Sequence, residues 1–419
     1  MATTVILGAG IIGVSTAYYL SERQPGSTIH LVEPSPELFA SASGYAGGFM
    51  AKDWFSPVSA ELGALSFEEH RKLADQDGGA EKWGYAPSTS ISLMPSKNKM
   101  RVDAWCRDGT SRAEAANGEP FPRVPPSWLR RVEGDAVEVI SEEGTAAQVD
   151  PLRLCQYLLR KCLDAGVRLH HPARAISVRT DMRDELASVR IADTRSGAET
   201  DVPCARVVVA AGAWSPQAFA ELFPAAPLAL PITSIAGHSL LARSPRWTWN
   251  NHLQEGCHAV FLTSAPGYSP EIFSRADGNI YVTGLNSAAE PLPPLPTDAR
   301  RGIRKSDIAL LRATAREVFG AHEDGDDDHA DDRIEVLREG LCFRPVTARG
   351  TPIIGRIPDR CLGPAIKTRP GAEGGVFLAS GHGPWGISQS LGTGKVMAEM
   401  MHGRPLSADV SRLGLDGLL

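Results

Sequence analysis

The chain has 419 residues, of which 42% are hydrophobic and 22% are charged, and its formal net charge at pH 7 is -6. This length indicates two domains or one large core with an inserted lobe, and the composition is typical of a globular protein rather than a disordered or fibrous one. An acidic chain without clustered Lys and Arg does not attract polyanions, so we expect neither a nucleic-acid partner nor binding to anionic lipid.

The sequence also predicts neither membrane insertion nor secretion. Its apolar stretches fall well short of the roughly 18 residues that span a bilayer, and an apolar strand stands at the N-terminus in place of a basic region with a cleavage site. We therefore expect an intracellular, cytoplasmic protein with no membrane partner. The seven cysteines agree with this, because their number is odd and none has CxxC spacing, which favours reduced thiols over disulfides or a zinc site.

The first predicted elements are a strand, a glycine turn and a helix. Residues 3–7 are mostly apolar or β-branched, the turn is GAGIIG at 8–13, and a helical pattern follows. Gly8 permits the tight turn, Gly10 lets the backbone approach a pyrophosphate, and Gly13 lets the helix pack closely on the strand. This spacing predicts a dinucleotide-binding βαβ unit, against the alternative of an ordinary glycine-rich turn.

The helix N-terminus and the end of the next strand complete this predicted site. Ile11 and Ile12 open the helix, where free backbone amides stabilise an anion. A second apolar run, 28–32, is followed by Glu33 about 20 residues beyond the turn, where a carboxylate can accept hydrogen bonds from ribose hydroxyls. We expect all three residues to contact the cofactor.

Small residues dominate the next segment, 41–49, which reads SASGYAGGF. Such a loop can bring its backbone against a flat ring or a second phosphate, and the alternative is a flexible surface loop. The predicted cofactor contacts in this loop are Ser41, Ser43, Gly44, Gly47, Gly48 and Phe49.

The acidic run 323–332 has the spacing of a calcium loop, but His329 stands where an EF-hand requires glycine. We interpret this run as a solvated loop. The other histidines lack metal-ligand spacing, so no metal ion is expected.

Two further segments have the pattern of a buried strand that leads into glycine. The first is VVVAAGAW at 207–214, which suits the end of a parallel strand, although a core strand without ligand contact has the same pattern. The second is 376–380, followed by the turn GHGPWGI and a helical run whose positive end can stabilise negative charge on a reduced ring. The predicted cofactor contacts here are Ala211, Gly212, Trp214, Gly381, His382, Gly383, Trp385, Gly386 and Ile387, to which we add Ala175.

Taken together, these segments resemble the D-amino-acid oxidase superfamily of FAD-dependent oxidoreductases, which includes glycine oxidase and monomeric sarcosine oxidase. The similarity is carried by GAGIIG with Glu33, by SASGYAGGF, by VVVAAGAWS, and by CFRPVTARGTPIIG with GHGPWGI near the C-terminus. Within the superfamily, the loop and the hairpin PEIFSRADGNIYVTG are similar to those of a group of fungal oxidoreductases. The resemblance implies FAD as the cofactor.

The resemblance also implies an α/β fold, in which a Rossmann-type FAD-binding domain is interrupted by an α+β substrate domain with a mixed, largely antiparallel sheet. The FAD-binding domain is assigned to residues 1–84, 145–230 and 340–419, and the substrate domain to residues 85–144 and 231–339. Within these limits the sequence predicts a helix that starts at Asp150-Pro151 and stops at Gly166, a hairpin at Asp277-Gly278, and an amphipathic helix at 305–320.

The resemblance further assigns roles to individual side chains. Arg344 occupies the position of an arginine that grips the substrate carboxylate with a bidentate fork, and the alternative is a structural ion pair. Cys342 falls where sarcosine oxidase relatives have the cysteine bonded to the 8α-methyl carbon of the flavin, and the alternative is a core thiol. His382 is expected to handle a proton or to form a hydrogen bond with the ring. Tyr45 departs from the basic residue that many relatives carry in this loop.

The implied reaction is oxidation of a small amine or amino acid by hydride transfer to flavin N5, with O2 as the acceptor and an imine and H2O2 as products. Two other functions stay open at this point. They are an FAD-dependent dehydrogenase of a hydroxy acid, and a flavin-binding protein whose role is mainly non-catalytic. Fold analogy identifies neither the substrate nor the oligomeric state.

Overall fold

Two large sheets organise the structure, a computed structural model that describes residues 2–95, 126–131, 133–141, 143–262, 268–320 and 334–415. The strands are β1 Thr4–Leu7, β2 Ile29–Val32, β3 Phe49–Ala51, β4 Ala86–Met94, β5 Ala136–Val139, β6 Ala146–Gln148, β7 Arg168–His170, β8 Ala173–Thr180, β9 Leu186–Asp193, β10 Glu199–Pro203, β11 Arg206–Val209, β12 Thr233–Arg243, β13 Cys257–Leu262, β14 Glu271–Ser274, β15 Asn279–Ser287, β16 Glu335–Val346, β17 Ile353–Ile357 and β18 Gly375–Ser380. The α-helices are α1 Ile11–Ser21, α2 Ala42–Tyr45, α3 Ala60–Asp77, α4 Gly79–Trp83, α5 Pro151–Asp164, α6 Ser215–Leu222, α7 Trp249–Glu255, α8 Lys305–Phe319 and α9 Ser390–Met401.

The first sheet has, in the described part of the chain, six strands in the order β17-β18-β11-β1-β2-β7. The five strands from β18 to β7 are parallel, and β17 joins the edge antiparallel to β18. Strands β1, β2, β11 and β18 are buried throughout, because helices or other layers cover both faces of the sheet. The predicted Rossmann-type arrangement is confirmed.

Helices α1, α5 and α9 share one hydrophobic core beside this sheet. Helix α1 packs closely on β1 because Gly13 has no side chain, and a Cβ there would overlap the carbonyl oxygen of Gly8. Helix α5 begins as predicted, since the Asp150 side chain accepts a hydrogen bond from the Arg153 N–H at 3.0 Å. Gly166 follows the helix with a φ of +87°, the left-handed conformation that favours glycine at this position.

The second sheet combines nine strands of the described residues, along the path β16-β12-β15-β14-β13-β4-β6-β3 with β5 beside β4. Strands β13 and β4 are parallel, and the other pairings recorded within the described residues are antiparallel, which confirms the predicted mixed sheet. The predicted hairpin at Asp277-Gly278 joins β14 to β15. Helix α8 covers this sheet with the predicted apolar face, Ile308, Leu311, Ala315 and Val318.

Segment 41–49 differs from the predicted open loop. Its residues Ala42–Tyr45 form the short helix α2, and Phe49 begins β3. Gly44 allows this compact turn, because a Cβ at Gly44 would overlap the carbonyl oxygen of Phe39. The segment is thus a fixed part of the wall between the two sheets.

The predicted domain limits cut across the second sheet. Strands β3 and β6 belong to it, although they fall in segments assigned to FAD binding, and β16 crosses the limit at residue 340. The division of the chain into two domains therefore stays a prediction. The acidic run 323–332 lies outside the described residues.

Candidate active site

A cavity of about 950 Å³ lies between the two sheets. One side is formed at the carboxyl ends of β1, β2, β11 and β18, by Leu7, Val32, Ala210 and Ser380 among others. The opposite side is one face of the second sheet, with Glu271, Phe273, Tyr281, Thr283, Cys342 and Arg344. Ligands of open parallel sheets bind in the crevice outside the carboxyl ends of the strands, so the cavity lies where the sequence predicts a dinucleotide.

The turn after β1 presents backbone rather than side chains to the cavity. Gly8 has a φ of +98°, and a Cβ there would lie 2.6 Å from the carbonyl oxygen of Ala210. A Cβ at Gly10 would have Ser43 Oγ as its near neighbour, at 3.1 Å. Because Gly10 lines the cavity at the N-terminus of α1, a side chain here would occupy the space of an anion bound to the helix.

Glu33 follows β2 and lines the cavity, although only 9% of its surface is exposed. Its Oε2 accepts a hydrogen bond from the Ala9 N–H and its Oε1 accepts one from the Ser35 N–H, both at 3.0 Å. Burial raises the pKa of this carboxyl group, and the two amide donors oppose that shift. A carboxylate fixed in this way has acceptor capacity left for two neighbouring hydroxyls, such as those of a ribose.

Two serines tie segment 41–49 to both sides of the cavity. Ser43 Oγ accepts a hydrogen bond from the Ile11 N–H at 2.9 Å, which joins the segment to α1. Ser41 Oγ accepts one from the Phe343 N–H at 3.3 Å, which joins it to β16. The segment therefore fixes the position of the first turn of α1 relative to the second sheet.

The turn after β18 places a buried histidine on the cavity wall. His382 is 3% exposed, and its Nε2 lies 3.0 Å from Thr393 Oγ1. Its Nδ1 is buried and has no hydrogen-bond partner among the described residues. Burial lowers the pKa of His382 to about 3, so the imidazole is neutral at neutral pH. A neutral ring with one unengaged nitrogen can donate or accept one further hydrogen bond.

Arg344 reaches across a neighbouring strand to its partner. Its Nη2 donates to Asn286 Oδ1 on β15 at 2.5 Å. The side chain passes over Gly237 of β12, where a Cβ would lie 3.2 Å from Arg344 Cζ. No carboxylate of the described residues forms an ion pair with this guanidinium, so the alternative of a structural ion pair finds no support there.

Most of the predicted contacts line the cavity. They are Gly8, Gly10, Ile11, Ile12, Glu33, Ser41, Ser43, Gly47, Ala175, Ala211, Gly212, Trp214, Cys342, Arg344, His382, Gly383, Gly386 and Ile387. Their contact with a cofactor stays a prediction.

Six predicted contacts, all within the described residues, contribute nothing to the cavity wall. They are Gly13, Gly44, Gly48, Phe49, Gly381 and Trp385. Gly48 and Gly381 shape turns, with φ of +90° and +86°, whereas Gly13 and Gly44 lie within helices α1 and α2. Trp385 turns toward Phe55 instead, with 4.7 Å between the ring centroids. Any influence of these six residues on the cavity comes from how they position the residues that line it.

Sequence reasoning did not find the side chains that the second sheet and a proline-rich segment contribute. Successive side chains of β14 and β15 point to opposite faces of the sheet, but the sequence of these strands does not indicate which face borders a cavity. The proline-rich segment, residues 291–296, is fixed by a hydrogen bond in which Trp214 Nε1 donates to the carbonyl oxygen of Pro293 at 2.7 Å. The wall residues missed in this way include Glu271, Phe273, Tyr281, Thr283, Leu292, Pro294, Leu295 and Pro296.

The described residues contain no membrane-spanning helix, no cluster of metal ligands and no disulfide. None of the helices there combines the length and apolar character that crossing a bilayer requires. The His, Cys, Asp and Glu side chains of the same residues do not gather into a group that could hold a metal ion. The six cysteines in the described ranges are free thiols.

A Rossmann-type sheet that opens into a crevice against a mixed sheet defines a dinucleotide-binding protein. The family model described as FAD dependent oxidoreductase, DAO, matches residues 3–400. The chain therefore belongs to the DAO family of FAD-dependent oxidoreductases, and FAD is the cofactor that this family implies. The cavity fits that group, since it offers a backbone opening at Gly10, a fixed carboxylate at Glu33 and an unengaged nitrogen on His382.

Relatives and solved structures agree with this family. A candidate oxidoreductase of Schizosaccharomyces pombe is 27% identical over 439 aligned positions, which cover 99% of this chain and 98% of that protein. Glycine oxidase from Geobacillus kaustophilus has a TM-score of 0.71 at 18% identity, with 99% and 98% of the two chains covered. Iminodiacetate oxidase from Chelativorans sp. BNC1 has a TM-score of 0.69 at 19% identity, with 98% of each chain covered. The expected similarity to fungal oxidoreductases is confirmed.

Proposed function

We propose that the protein oxidises a small amine or amino acid that carries a carboxylate, with O2 as the acceptor and an imine and H2O2 as products. The observation that carries this proposal is Arg344, a guanidinium on the cavity wall whose charge no described carboxylate neutralises. Two oxidases whose structures resemble this fold are named for glycine and iminodiacetate, both of which join an amine to a carboxylate.

Arg344 is suited to bind such a carboxylate. One nitrogen is engaged by Asn286, which fixes the plane of the guanidinium and leaves its other donors for a ligand. Each charge-assisted hydrogen bond from a guanidinium to a carboxylate contributes about 1.5–3 kcal/mol. Two such bonds would anchor one end of the substrate and orient the amine end.

His382 and Tyr281 on the wall orient the substrate and exclude water rather than transfer protons. His382 has its pKa lowered to about 3 by burial, so it is not protonated at neutral pH and can offer a hydrogen bond from a neutral ring. Burial also raises the pKa of Tyr281, which therefore keeps its hydroxyl proton. Neither group is therefore suited to take the ammonium proton of the substrate. The bound flavin supplies the hydride acceptor.

A thioether between Cys342 and the flavin is a separate part of the proposal. Its C–S bond would replace the thiol S–H bond and one C–H bond of the 8α-methyl group, and the two electrons released would pass to the flavin and from it to the O2 that the proposed reaction already uses. Cys342 lines the cavity and is 4% exposed. Burial raises the pKa of its thiol, which opposes formation of the reactive thiolate, whereas the neighbouring Arg344 guanidinium favours it. After acid precipitation, a covalent link leaves yellow colour in the pellet of the natural protein and in the supernatant of Cys342→Ser. Colour entirely in the supernatant of both proteins rules out the link.

The test of the carboxylate anchor compares Arg344→Met with Arg349→Met. Loss of two charge-assisted hydrogen bonds should raise KM for a carboxylate-bearing amine by a factor on the order of 100. Arg349 donates to the Gly414 carbonyl oxygen at 3.2 Å on the surface, so its replacement should leave KM unchanged. An unchanged KM in Arg344→Met rejects the anchor.

A hydroxy-acid dehydrogenase is the second candidate, because Arg344 would recognise the carboxylate of a hydroxy acid equally well. The two candidates differ in pH dependence. Oxidation of an amine should accelerate as pH rises through the pKa of the substrate ammonium, whereas a hydroxy acid has no such ionisation. Release of H2O2 in air separates the oxidase from a dehydrogenase. FAD that no amine or hydroxy acid reduces would instead indicate a mainly non-catalytic flavin-binding protein.

A further inference from the structure

Four consecutive carbonyl groups, those of residues 44–47, are held by side chains of the second sheet and of the hairpin that joins two of its strands. Of these residues, Ala46 and Gly47 line the cavity. The donors and their distances are Arg338 Nη1 to Gly44 O at 3.1 Å, Tyr281 Oη to Tyr45 O at 2.8 Å, Arg275 Nη2 to Ala46 O at 3.0 Å and to Gly47 O at 3.3 Å, and Gln148 Nε2 to Gly47 O at 2.6 Å. A run of backbone acceptors that is satisfied in this way has one preferred orientation.

The two arginines in this set are confined. Arg275, in the β14–β15 turn, is 3% exposed and forms an ion pair with Asp150, with 3.4 Å between Nη1 and Oδ2. The Arg338 guanidinium lies 4.4 Å from the centroid of the Tyr45 ring. Burial lowers the pKa of Arg338, and the charge of Arg275 adds to that effect. Arg275 and Arg338 with Asp150 therefore leave one net positive charge behind the wall.

Peptide geometry determines what the same segment shows to the cavity. In a trans peptide the carbonyl and the following N–H point in opposite directions. Because the carbonyls of Tyr45 and Ala46 point to the second sheet, the N–H groups of Ala46 and Gly47 point away from it. Both residues line the cavity, and neither amide has an acceptor among the described residues. Gly47 also packs directly on Phe273, since a Cβ there would lie 2.5 Å from the ring.

The arrangement also bears on Tyr45, which stands where a basic residue is expected. The positive charge missing from the loop is present just behind it, on Arg275 and Arg338. A cation in a poorly hydrated site favours nearby negative charge more than one in water does. The charge that develops on a flavin when it is reduced is negative, so these guanidiniums should favour reduction.

We propose that Arg275 and Arg338 are positioning residues for the cofactor. Arg338 holds the carbonyl of Gly44, and Arg275 holds those of Ala46 and Gly47, on either side of the Tyr45 carbonyl that Tyr281 holds. The segment is thereby oriented so that the Ala46 and Gly47 amides can donate to FAD, and the two guanidiniums place positive charge behind that contact. Both the affinity for FAD and the reduction potential of the bound flavin depend on them. This inference rests on FAD, the cofactor of the family, and not on the proposed amine substrate.

The experiment measures the FAD dissociation constant and the midpoint potential without any substrate, so the result does not depend on the proposed reaction. Arg275→Met and Arg338→Met should each weaken FAD binding at least tenfold and make the potential more negative. Arg275→Lys and Arg338→Lys keep the charge but lose the planar fork, so FAD binding should weaken while the potential stays near that of the natural protein. Arg243→Met is the matched control, because Arg243 pairs with Glu335 on the surface of the same sheet, and it should change neither quantity.

Two further variants keep the test decisive if a methionine variant fails to fold. Tyr281→Phe removes the one hydroxyl that holds the Tyr45 carbonyl, and it should weaken FAD binding several-fold with an unchanged potential. The lysine variants serve the same purpose at the arginine positions, and Arg275→Lys also retains a buried partner for Asp150. Folded variants whose FAD affinity and potential both match those of the natural protein would overturn the proposal. A potential that falls equally in the lysine and methionine variants would overturn its electrostatic part.

Discussion

The two sides of the cavity are built by different means. On the side of the six-stranded sheet, the groups proposed to bind the cofactor are backbone and one carboxylate, and each stands at a strand end within a short sequence motif. On the side of the nine-stranded sheet, side chains from distant parts of the chain converge, as when Arg344 crosses Gly237 to meet Asn286. The side proposed for the cofactor therefore depends on space for the backbone, whereas the side proposed for the substrate depends on strand register.

The largest expected effect comes from filling the backbone space at Gly10. In Gly10→Val the protein should fold, because the nearest atom to a Cβ is a side-chain oxygen at 3.1 Å, but FAD affinity should fall by a factor on the order of 100. Gly355→Val is the control in the same sheet, since a Cβ there meets only an ordinary contact of 3.5 Å. Isothermal titration of both apoproteins with FAD measures the difference. Equal affinities would show that the turn does not approach the pyrophosphate.

The substrate side can be altered without touching the cofactor side. Gly237→Ala pushes against the Arg344 guanidinium, and Asn286→Leu removes its partner at 2.5 Å. Either change should raise KM for a carboxylate-bearing amine about tenfold, because one charge-assisted hydrogen bond is lost or misdirected, while the FAD dissociation constant stays the same. Steady-state kinetics together with FAD titration check both halves. A parallel loss of FAD affinity would break the proposed separation of the two sides.

A smaller effect concerns His382 and acid stability. Its pKa is lowered from 6.5 to about 3 in the folded protein, so its contribution to stability is present above pH 6.5 and is lost as pH falls from 6.5 toward 3. Each such proton changes the unfolding free energy by at most about 1.4 kcal/mol per pH unit. His382→Asn should therefore lose stability less steeply below pH 6.5 in urea unfolding of the apoprotein. His70 shares the trend, with a pKa of about 4, so the dependence should weaken rather than vanish. Equal slopes would contradict a buried neutral His382.

The smallest effect is expected where an ion pair crosses the cavity edge at the surface. Arg300 Nη2 lies 2.6 Å from Glu37 Oε1, but both side chains are about half exposed. Arg300→Met should therefore change the unfolding free energy by less than about 1 kcal/mol, and the change should shrink with added salt. Thermal unfolding at low and high salt measures it. A larger, salt-independent loss would mean that this pair fastens the two sides together.

The fold and the cofactor side could be predicted because their signals are local. GAGIIG, Glu33 and the glycine turn after β18 each combine a strand end with residues that a phosphate or a ring requires. The apolar face of helix α8 could be predicted for the same reason, because the spacing of its apolar residues is a pattern within one helix.

The substrate side could be predicted only in part. The resemblance pointed to Arg344 and Cys342, but their neighbours depend on pairings between strands that lie far apart in sequence. The contact of Arg344 with Asn286 needs the register of β12 against both β15 and β16, which no local pattern encodes. The same holds for Arg275, whose contacts with residues 46 and 47 span more than half of the chain. Trp385 fits either a pocket wall or the core from its sequence, because its place in the predicted cofactor turn does not reveal which way the ring points.

The measurement that tests the central claim most directly is an anaerobic titration of the FAD-loaded protein, followed by visible absorbance. Small amines that carry a carboxylate should bleach the flavin, whereas their amide derivatives and the matching hydroxy acids should not, and admission of air should restore the colour with release of H2O2. Bleaching by hydroxy acids but not by amines would contradict the proposed reaction. A folded protein that takes up no FAD would contradict the whole account.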